Sequence, residues 1–231
     1  MNNFLFIGLP YTAIFVMLTA SIYRYRTMAF NFSSLSTQIL EDKLLYKGIL
    51  PFHWGIVFLF FGHLAAFLFP AVVFAWNGST TRLLSLETTA FGFALTLFYG
   101  IIILIVRRLQ NKRLLAVTSK MDYVVYLLLV IQIISGLCVA YFNRWGSSWF
   151  AAVISPYLKS IFLFSPDIRA LSIAPLPVKI HIISAFAIIG LIPFTRLVHF
   201  LVYPFRYFYR GYQIVIWNWN RKTIRKIGNR Q

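Results

Sequence analysis

Five long apolar stretches, separated by shorter polar segments, dominate the sequence. They cover about residues 3–23, 49–74, 86–106, 122–142 and 177–203. Each reaches the roughly 20 residues that an α-helix needs to cross the hydrocarbon core of a bilayer. The pattern therefore predicts an all-α integral membrane protein with five transmembrane helices. Pro193 lies inside the fifth stretch, where neighbouring helices can satisfy the carbonyl that a proline frees.

The polar segments are too short to hold a separate soluble domain. We therefore expect residues 1–231 to form a single membrane domain that ends in a basic tail, 204–231. The first apolar stretch has no basic region before it, so we interpret it as a retained helix and not as a signal peptide. The longest loop, about 143–176, contains a weakly amphipathic piece at 155–164 that can lie on the membrane surface.

Composition and charge support this class and predict the orientation of the chain in the membrane. Only 12% of the residues are charged, about half the share in a soluble domain. Sixteen Lys and Arg residues fall in the first and third loops and the tail, whereas five lie on the other side, in the second and fourth loops and at the start of the fifth stretch. The positive-inside rule then predicts an outer N-terminus and a cytoplasmic C-terminus. This topology and attraction to anionic lipid explain the net charge of +17, so nucleic acid is not a predicted partner.

All four histidines of the chain lie inside apolar stretches. His53 and His63 are in the second stretch, and His181 and His199 are in the fifth. An ionisable residue inside the membrane is costly and usually has a function. A single one could be a helix contact, but four confined to two helices indicate a site.

Helix geometry sorts these histidines into two pairs. Ten residues of helix rise about 15 Å and eighteen rise about 27 Å. At about 100° per residue, His181 and His199 would return to the same helix face. The second and fifth helices run in opposite directions across the membrane. His53 and His199 are therefore expected near the cytoplasmic side, and His63 and His181 nearer the outside.

Two imidazoles at one depth favour a haem over a bare metal ion. A zinc or non-haem iron site would require more ligands, often carboxylates or thiolates, and a copper site would usually add a third ligand. A haem needs two axial ligands from the protein, because the porphyrin supplies four nitrogens. Two imidazoles leave no open coordination position on the iron, which is typical of an electron-transfer site. The single cysteine, Cys138, excludes an iron–sulfur cluster held by this chain alone.

The neighbouring residues leave two interpretations open. Gly55 and Gly62 could let a flat macrocycle approach the helix, or they could serve close helix packing. Arginines near the cytoplasmic boundary, among them Arg108, could pair with haem propionates, or they could serve only topology. A proton-relay transporter or a purely structural anchor are rival functions, and neither predicts a haem.

Three segments resemble the gamma subunit of respiratory nitrate reductase. They are RYRTMAFNFSSLSTQILEDKLLYKGILPFHWGIVFLFFGH, FAAVISPYLKSIFLFSPDIRALSIAPLPVKIH and IPFTRLVHFLVYPFRYFYRGYQIV. The resemblance covers nearly the whole chain and includes the histidine spacings of ten and eighteen. It implies a five-helix cytochrome b with two haem b groups, in the cytoplasmic (inner) membrane of a prokaryote. A related di-haem quinol module serving a sulfite-reductase- or heterodisulfide-reductase-associated complex is the alternative.

The resemblance also implies roles for individual residues. His63 and His181 would ligate the outer haem, and His53 and His199 the inner haem. Quinol, either menaquinol or ubiquinol, would be oxidised near the outer haem, and Gly62 and His63 match the motif linked to it. Some members use an outer-loop lysine for quinol, and the nearest basic residue here is Arg82. Arg108 matches an arginine near the inner haem.

The resemblance implies partners as well. Electrons would pass inward to a cytoplasmic iron–sulfur (beta) subunit and then to a molybdenum catalytic (alpha) subunit. Protons would be released outside, so that charge separation would come from electron movement.

Overall fold

The computed structural model describes residues 2–27, 37 and 40–201 of the chain. The chain divides into one unit, Met1–His199, and a second unit, Phe200–Gln231, of which only residues 200 and 201 are described. The predicted basic tail, 204–231, lies outside the described residues. The described part is helical, with no strand among its residues.

The helices are labelled in chain order. They are α1 (Leu9–Thr27), α2 (Lys43–Leu68), α3 (Pro70–Asn77), α4 (Thr80–Gln110), α5 (Lys112–Ala116), α6 (Lys120–Phe142), α7 (Gly146–Trp149), α8 (Ser155–Phe162), α9 (Arg169–Ser172) and α10 (Leu176–Leu191). π-Helical turns cover Phe4–Gly8 and Phe150–Ile154, and 3₁₀ turns cover Ile192–Phe194 and Arg196–Phe200.

Within the described ranges, five helical segments are long and apolar enough to cross a membrane. They are Phe4–Thr27, Lys43–Leu68, Thr80–Gln110, Lys120–Phe142 and Leu176–Phe194. Large apolar side chains cover their outer surfaces, and Phe15 and Trp54 are each 67% exposed. Such exposure suits contact with lipid tails. The predicted number of spans and the all-α class are confirmed.

The second span ends earlier than the sequence predicted. The predicted span was about 49–74, whereas the helix α2 begins at Lys43 and ends at Leu68. Phe69 leaves the helical region, with φ −125° and ψ 59°, and α3 starts anew at Pro70. A residue before proline is disfavoured in the α conformation, which accounts for the break.

The fifth span is also interrupted. The predicted span was about 177–203, and within it α10 ends at Leu191 and gives way to 3₁₀ turns, while residues 202 and 203 lie outside the described residues. Pro193 lies in the first of these turns. Proline lacks an N–H and its ring clashes with the carbonyl four residues earlier, so a regular helix does not pass through it here. The third span is longer than the predicted 86–106, since α4 covers Thr80–Gln110.

Glycines bring α2 and α4 into close contact. A Cβ built on Gly100 would lie 2.5 Å from the backbone nitrogen of Phe52 and 2.8 Å from the carbonyl oxygen of Gly48. A Cβ on Gly55 would lie 2.9 Å from the backbone nitrogen of Leu97. These neighbours are backbone atoms and cannot move aside. The glycines therefore set the position of α2, the helix that carries His53 and His63.

The loop helix α8 packs against the first span. The buried Tyr157 hydroxyl donates to the carbonyl of Phe6 at 2.7 Å, and the Tyr11 hydroxyl donates to the carbonyl of Ile161 at 3.0 Å. Burial raises the pKa of Tyr157, so this hydroxyl keeps its proton. The piece 155–164 thus buries one side against the protein, while Phe164 at its end is 83% exposed.

Candidate functional site

The structure brings the four histidines together as two facing pairs. The ring centroids of His63 and His181 lie 6.5 Å apart, with an angle of 32° between the ring planes. The ring centroids of His53 and His199 lie 6.1 Å apart, with an angle of 50°. Each pair joins α2 to the fifth span or to the 3₁₀ turn that follows it.

Three of these imidazoles share one hydrogen-bond arrangement. The Nδ1 atoms of His53 and His63 lie 2.9 and 2.8 Å from the carbonyl oxygens of Ile49 and Leu59, one turn earlier in α2. Nδ1 of His199 lies 2.6 Å from the carbonyl oxygen of Arg196. A carbonyl can only accept, so each Nδ1 carries the proton and each Nε2 keeps its lone pair. This is the arrangement that metal-bound histidines adopt.

The separation of the two rings in each pair matches that of two imidazoles bound to one haem iron. Two imidazoles bound on opposite sides of one metal at about 2 Å would place their ring centroids about 6 Å apart, close to both distances found here. The described part of the chain has no group of three or more His, Cys, Asp or Glu residues that could hold a metal ion. A cofactor that brings its own equatorial ligands therefore suits this donor set.

His181 has a second set of neighbours, on α6. Its Nδ1 lies 3.0 Å from the carbonyl oxygen of Gln132 and 3.2 Å from Oγ of Ser135. Its Nε2 lies 3.1 Å from the side-chain nitrogen of Gln132, whose Oε1 accepts from the hydroxyl of Ser184. Gly136 lies against the same ring. The α6 residues could not be identified from the sequence, because nothing local marks them as neighbours of His181.

Near His199, a buried carboxylate joins two arginines. Asp122 accepts from Nε of Arg196 at 2.8 Å, and its other oxygen lies 3.6 Å from Nη1 of Arg108. Asp122 also completes a capping box with Ser119 at the start of α6, and a serine three residues before an acidic residue is a readable signal for such a box. Arg108 is buried, and its Nε has no hydrogen-bond partner among the described residues. An unsatisfied guanidinium nitrogen is compatible with an additional anionic ligand such as a propionate.

Arg107 has a structural partner instead. Its Nε lies 2.5 Å from Oε2 of Glu41, and its Nη2 donates to the carbonyl oxygen of Thr37 at 3.1 Å. Burial alone would raise the pKa of Glu41, but the backbone N–H of Leu44 and the guanidinium of Arg107 together lower it. The pair therefore ties the first polar loop to the end of α4.

Of the residues expected to contact quinol, Gly62 and His63 are adjacent, but the described contacts of Arg82 do not bring it to them. A Cβ on Gly62 would meet nothing within 4 Å, so the helix surface is open at this residue, which precedes His63. Phe150 packs edge-on against the His63 ring, with centroids 5.1 Å apart. Arg82 donates to the carbonyl oxygens of Trp76 and Ala75 and stacks over the Trp76 ring. None of the contacts found for Arg82 in the described part of the chain reaches His63.

Comparison with known proteins identifies the family. The profile of the family described as nitrate reductase gamma subunit matches residues 2–218. The nitrate reductase gamma chain of Bacillus subtilis (strain 168) is 31% identical over 209 residues, which cover 89% of this chain and 94% of the relative. The respiratory nitrate reductase 2 gamma chain of Escherichia coli (strain K12) is 31% identical over 221 residues, 93% of this chain and 96% of the relative. The respiratory nitrate reductase 1 gamma chain of the same strain is 28% identical over 220 residues, 93% and 97% of the two chains. The chain therefore belongs to the nitrate reductase gamma subunit family.

Proposed function

We propose that this chain is the membrane cytochrome b subunit of a respiratory nitrate reductase. It oxidises quinol on the outer side of the inner membrane of a prokaryote. It delivers electrons to a cytoplasmic iron–sulfur (beta) subunit, which serves a molybdenum catalytic (alpha) subunit. The observation that carries the proposal is the two facing histidine pairs, together with the family match.

Each histidine pair would hold one haem b. His63 and His181 would ligate the outer group, and His53 and His199 the inner group. Bound haem would supply reversible one-electron transfer. The protein's part is to fix each imidazole: the backbone carbonyls behind His53, His63 and His199 hold the Nδ1 protons and direct Nε2 to the metal. Arg108, with its free Nε, would bind a propionate of the inner haem.

The orientation of the chain follows from its charges. The excess of Lys and Arg on one side supports an outer N-terminus and a cytoplasmic C-terminus. The basic segments 24–47 and 107–120 would then face the cytoplasm, where they would meet the iron–sulfur subunit and the anionic headgroups of the inner leaflet.

Quinol would bind beside the outer pair. The open space at Gly62 would admit a ring next to His63, and Phe150 would form an apolar wall. Arg82 would join this site only if it left its contacts with Trp76 and Ala75. Compared with Gly62 and His63, Arg82 therefore has the weakest structural support as a quinol contact.

Reduction by quinol in matched variants tests the function. The complex would be purified with His63→Leu or His199→Leu, and a water-soluble quinol analogue would be added while the haem absorbance is followed. In the His199→Leu variant we expect the remaining haem to be reduced and nitrate turnover to stop. In the His63→Leu variant we expect no reduction by quinol. Normal quinol oxidation in His63→Leu, with no reduction in His199→Leu, would place quinol oxidation on the inner side and contradict the proposal.

A further inference from the structure

His181 is held differently from the other three histidines. His53, His63 and His199 bind Nδ1 to a carbonyl three or four residues earlier in their own segment. His181 lies on α10, but its Nδ1 contacts the carbonyl oxygen of Gln132 on α6 at 3.0 Å. A neighbouring helix therefore sets the direction of this ring.

Gly136 makes that contact sterically feasible. A Cβ built on Gly136 would lie 2.9 Å from Cε1 and 3.3 Å from Nδ1 of His181. The first distance is shorter than real Cβ contacts, and the atom it meets belongs to a rigid ring. The glycine thus forms a slot through which the imidazole reaches the carbonyl oxygen of Gln132, one turn earlier in α6.

Two hydroxyls and an amide complete the slot. The Ser135 hydroxyl donates to the carbonyl of Gln132 at 3.0 Å, and its oxygen lies 3.2 Å from Nδ1 of His181. Ser135 and Ser184 are both buried. The Ser184 hydroxyl donates to Oε1 of Gln132, which turns the amide nitrogen toward Nε2 of His181 at 3.1 Å. All these contacts favour the tautomer with the proton on Nδ1 and the lone pair on Nε2.

We propose that Ser135, Gly136 and the backbone carbonyl of Gln132 form a positioning slot on α6 for His181. The inference rests on the proposed ligation of the outer haem by His181. The bond from Nδ1–H to the carbonyl of Gln132 fixes the plane of the ring and makes the imidazole a stronger electron donor. The lone pair of Nε2 accepts from the amide of Gln132 in this structure, and this amide has to turn away when Nε2 binds the metal. The slot acts on the outer pair alone, because no slot residue contacts His53 or His199 among the described contacts.

The first test is the variant Gly136→Ala. The methyl group should displace the ring, and loss of such an orienting contact typically weakens metal retention about 10-fold or more. We expect the outer haem to transfer to excess apomyoglobin about 10-fold faster, while the inner haem is retained as in the wild type. The matched control is Gly92→Ala in α4, where a Cβ would meet nothing within 4 Å.

The second test is Ser135→Ala, which tests the positioning slot even if the Gly136→Ala complex does not assemble. Removal of an acceptor near Nδ1–H weakens electron donation by the imidazole, so the midpoint potential of the outer haem should rise. The low-spin EPR signal of that haem should also change, with the inner haem unchanged. The His63→Leu variant supplies the reference spectrum of the inner haem alone.

The outcomes separate this inference from the proposed function. A wild-type complex without haem would overturn both. A wild-type complex with two haems, in which both variants leave the outer signals unchanged or alter both haems equally, would overturn the slot and leave the proposed function standing.

Discussion

The carboxylate of Asp122 binds Nε of Arg196 across 2.8 Å, and the carbonyl of Arg196 in turn accepts the Nδ1 proton of His199. The side chain of Asp122 is 7% exposed and that of Arg196 is 31% exposed. The acidic start of α6 therefore fixes the 3₁₀ turn that carries His199.

Asp122→Asn keeps the shape of the side chain but removes its charge, so it should loosen this turn. Removing one partner of a buried pair costs about 3–5 kcal/mol, and the partial exposure of Arg196 reduces that to about 2–3 kcal/mol. We expect a lower unfolding temperature for the complex in detergent, together with a changed spectrum of the inner haem. The control is Asp167→Asn, because the pair of Asp167 with Arg169 is exposed and should contribute little. Equal effects of the two substitutions would contradict this role of Asp122.

The ion pair between Glu41 and Arg107 should make stability depend on pH. The pKa of Glu41 is lowered in the folded protein from an ordinary value of 4.5. Its contribution is therefore fully present above that value and is lost as the pH falls through the lower folded pKa. Wild type and Glu41→Gln should differ in unfolding temperature at pH 7, and the difference should shrink as the medium is acidified below 4.5. A difference that stays constant over this range would exclude the ionised pair as its cause.

Gly100→Ala should separate α2 from α4. The new Cβ would lie 2.5 Å from the backbone nitrogen of Phe52, an atom that cannot yield without moving the helix. Overpacking of this kind costs about 1–3 kcal/mol or more. Because α2 carries one histidine of each pair, both haems should be retained less well. Gly92→Ala, on the same helix but facing open space, should leave haem content and unfolding temperature unchanged.

The sequence was sufficient to predict the membrane spans and the family, but not the places where the helices break. Long apolar stretches determine which segments cross a bilayer, and five such segments are found in the described part of the chain. Apolar composition does not report backbone angles, so the breaks at Phe69 and after Leu191 were missed although Pro70 and Pro193 mark them.

The facing histidines could be anticipated because antiparallel helices bring equal depths together. The α6 residues around His181 could not, since the contact between α6 and α10 is tertiary. Gln132, Ser135 and Gly136 form no motif along the chain. By contrast, the capping box of Ser119 and Asp122 could have been read from the sequence, and it would have drawn attention to the carboxylate that holds Arg196.

The most direct test of the account is the haem content of histidine double variants, measured by pyridine haemochrome against protein. Wild type should bind two haem b per chain, non-covalently, because the single cysteine Cys138 cannot form a C-x-x-C-H site. His63→Leu with His181→Leu removes one facing pair and should leave one haem. His53→Leu with His181→Leu breaks both pairs and should leave none. One haem or none in fully loaded wild type, or equal haem content in the two double variants, would contradict the pairing on which the proposed function depends.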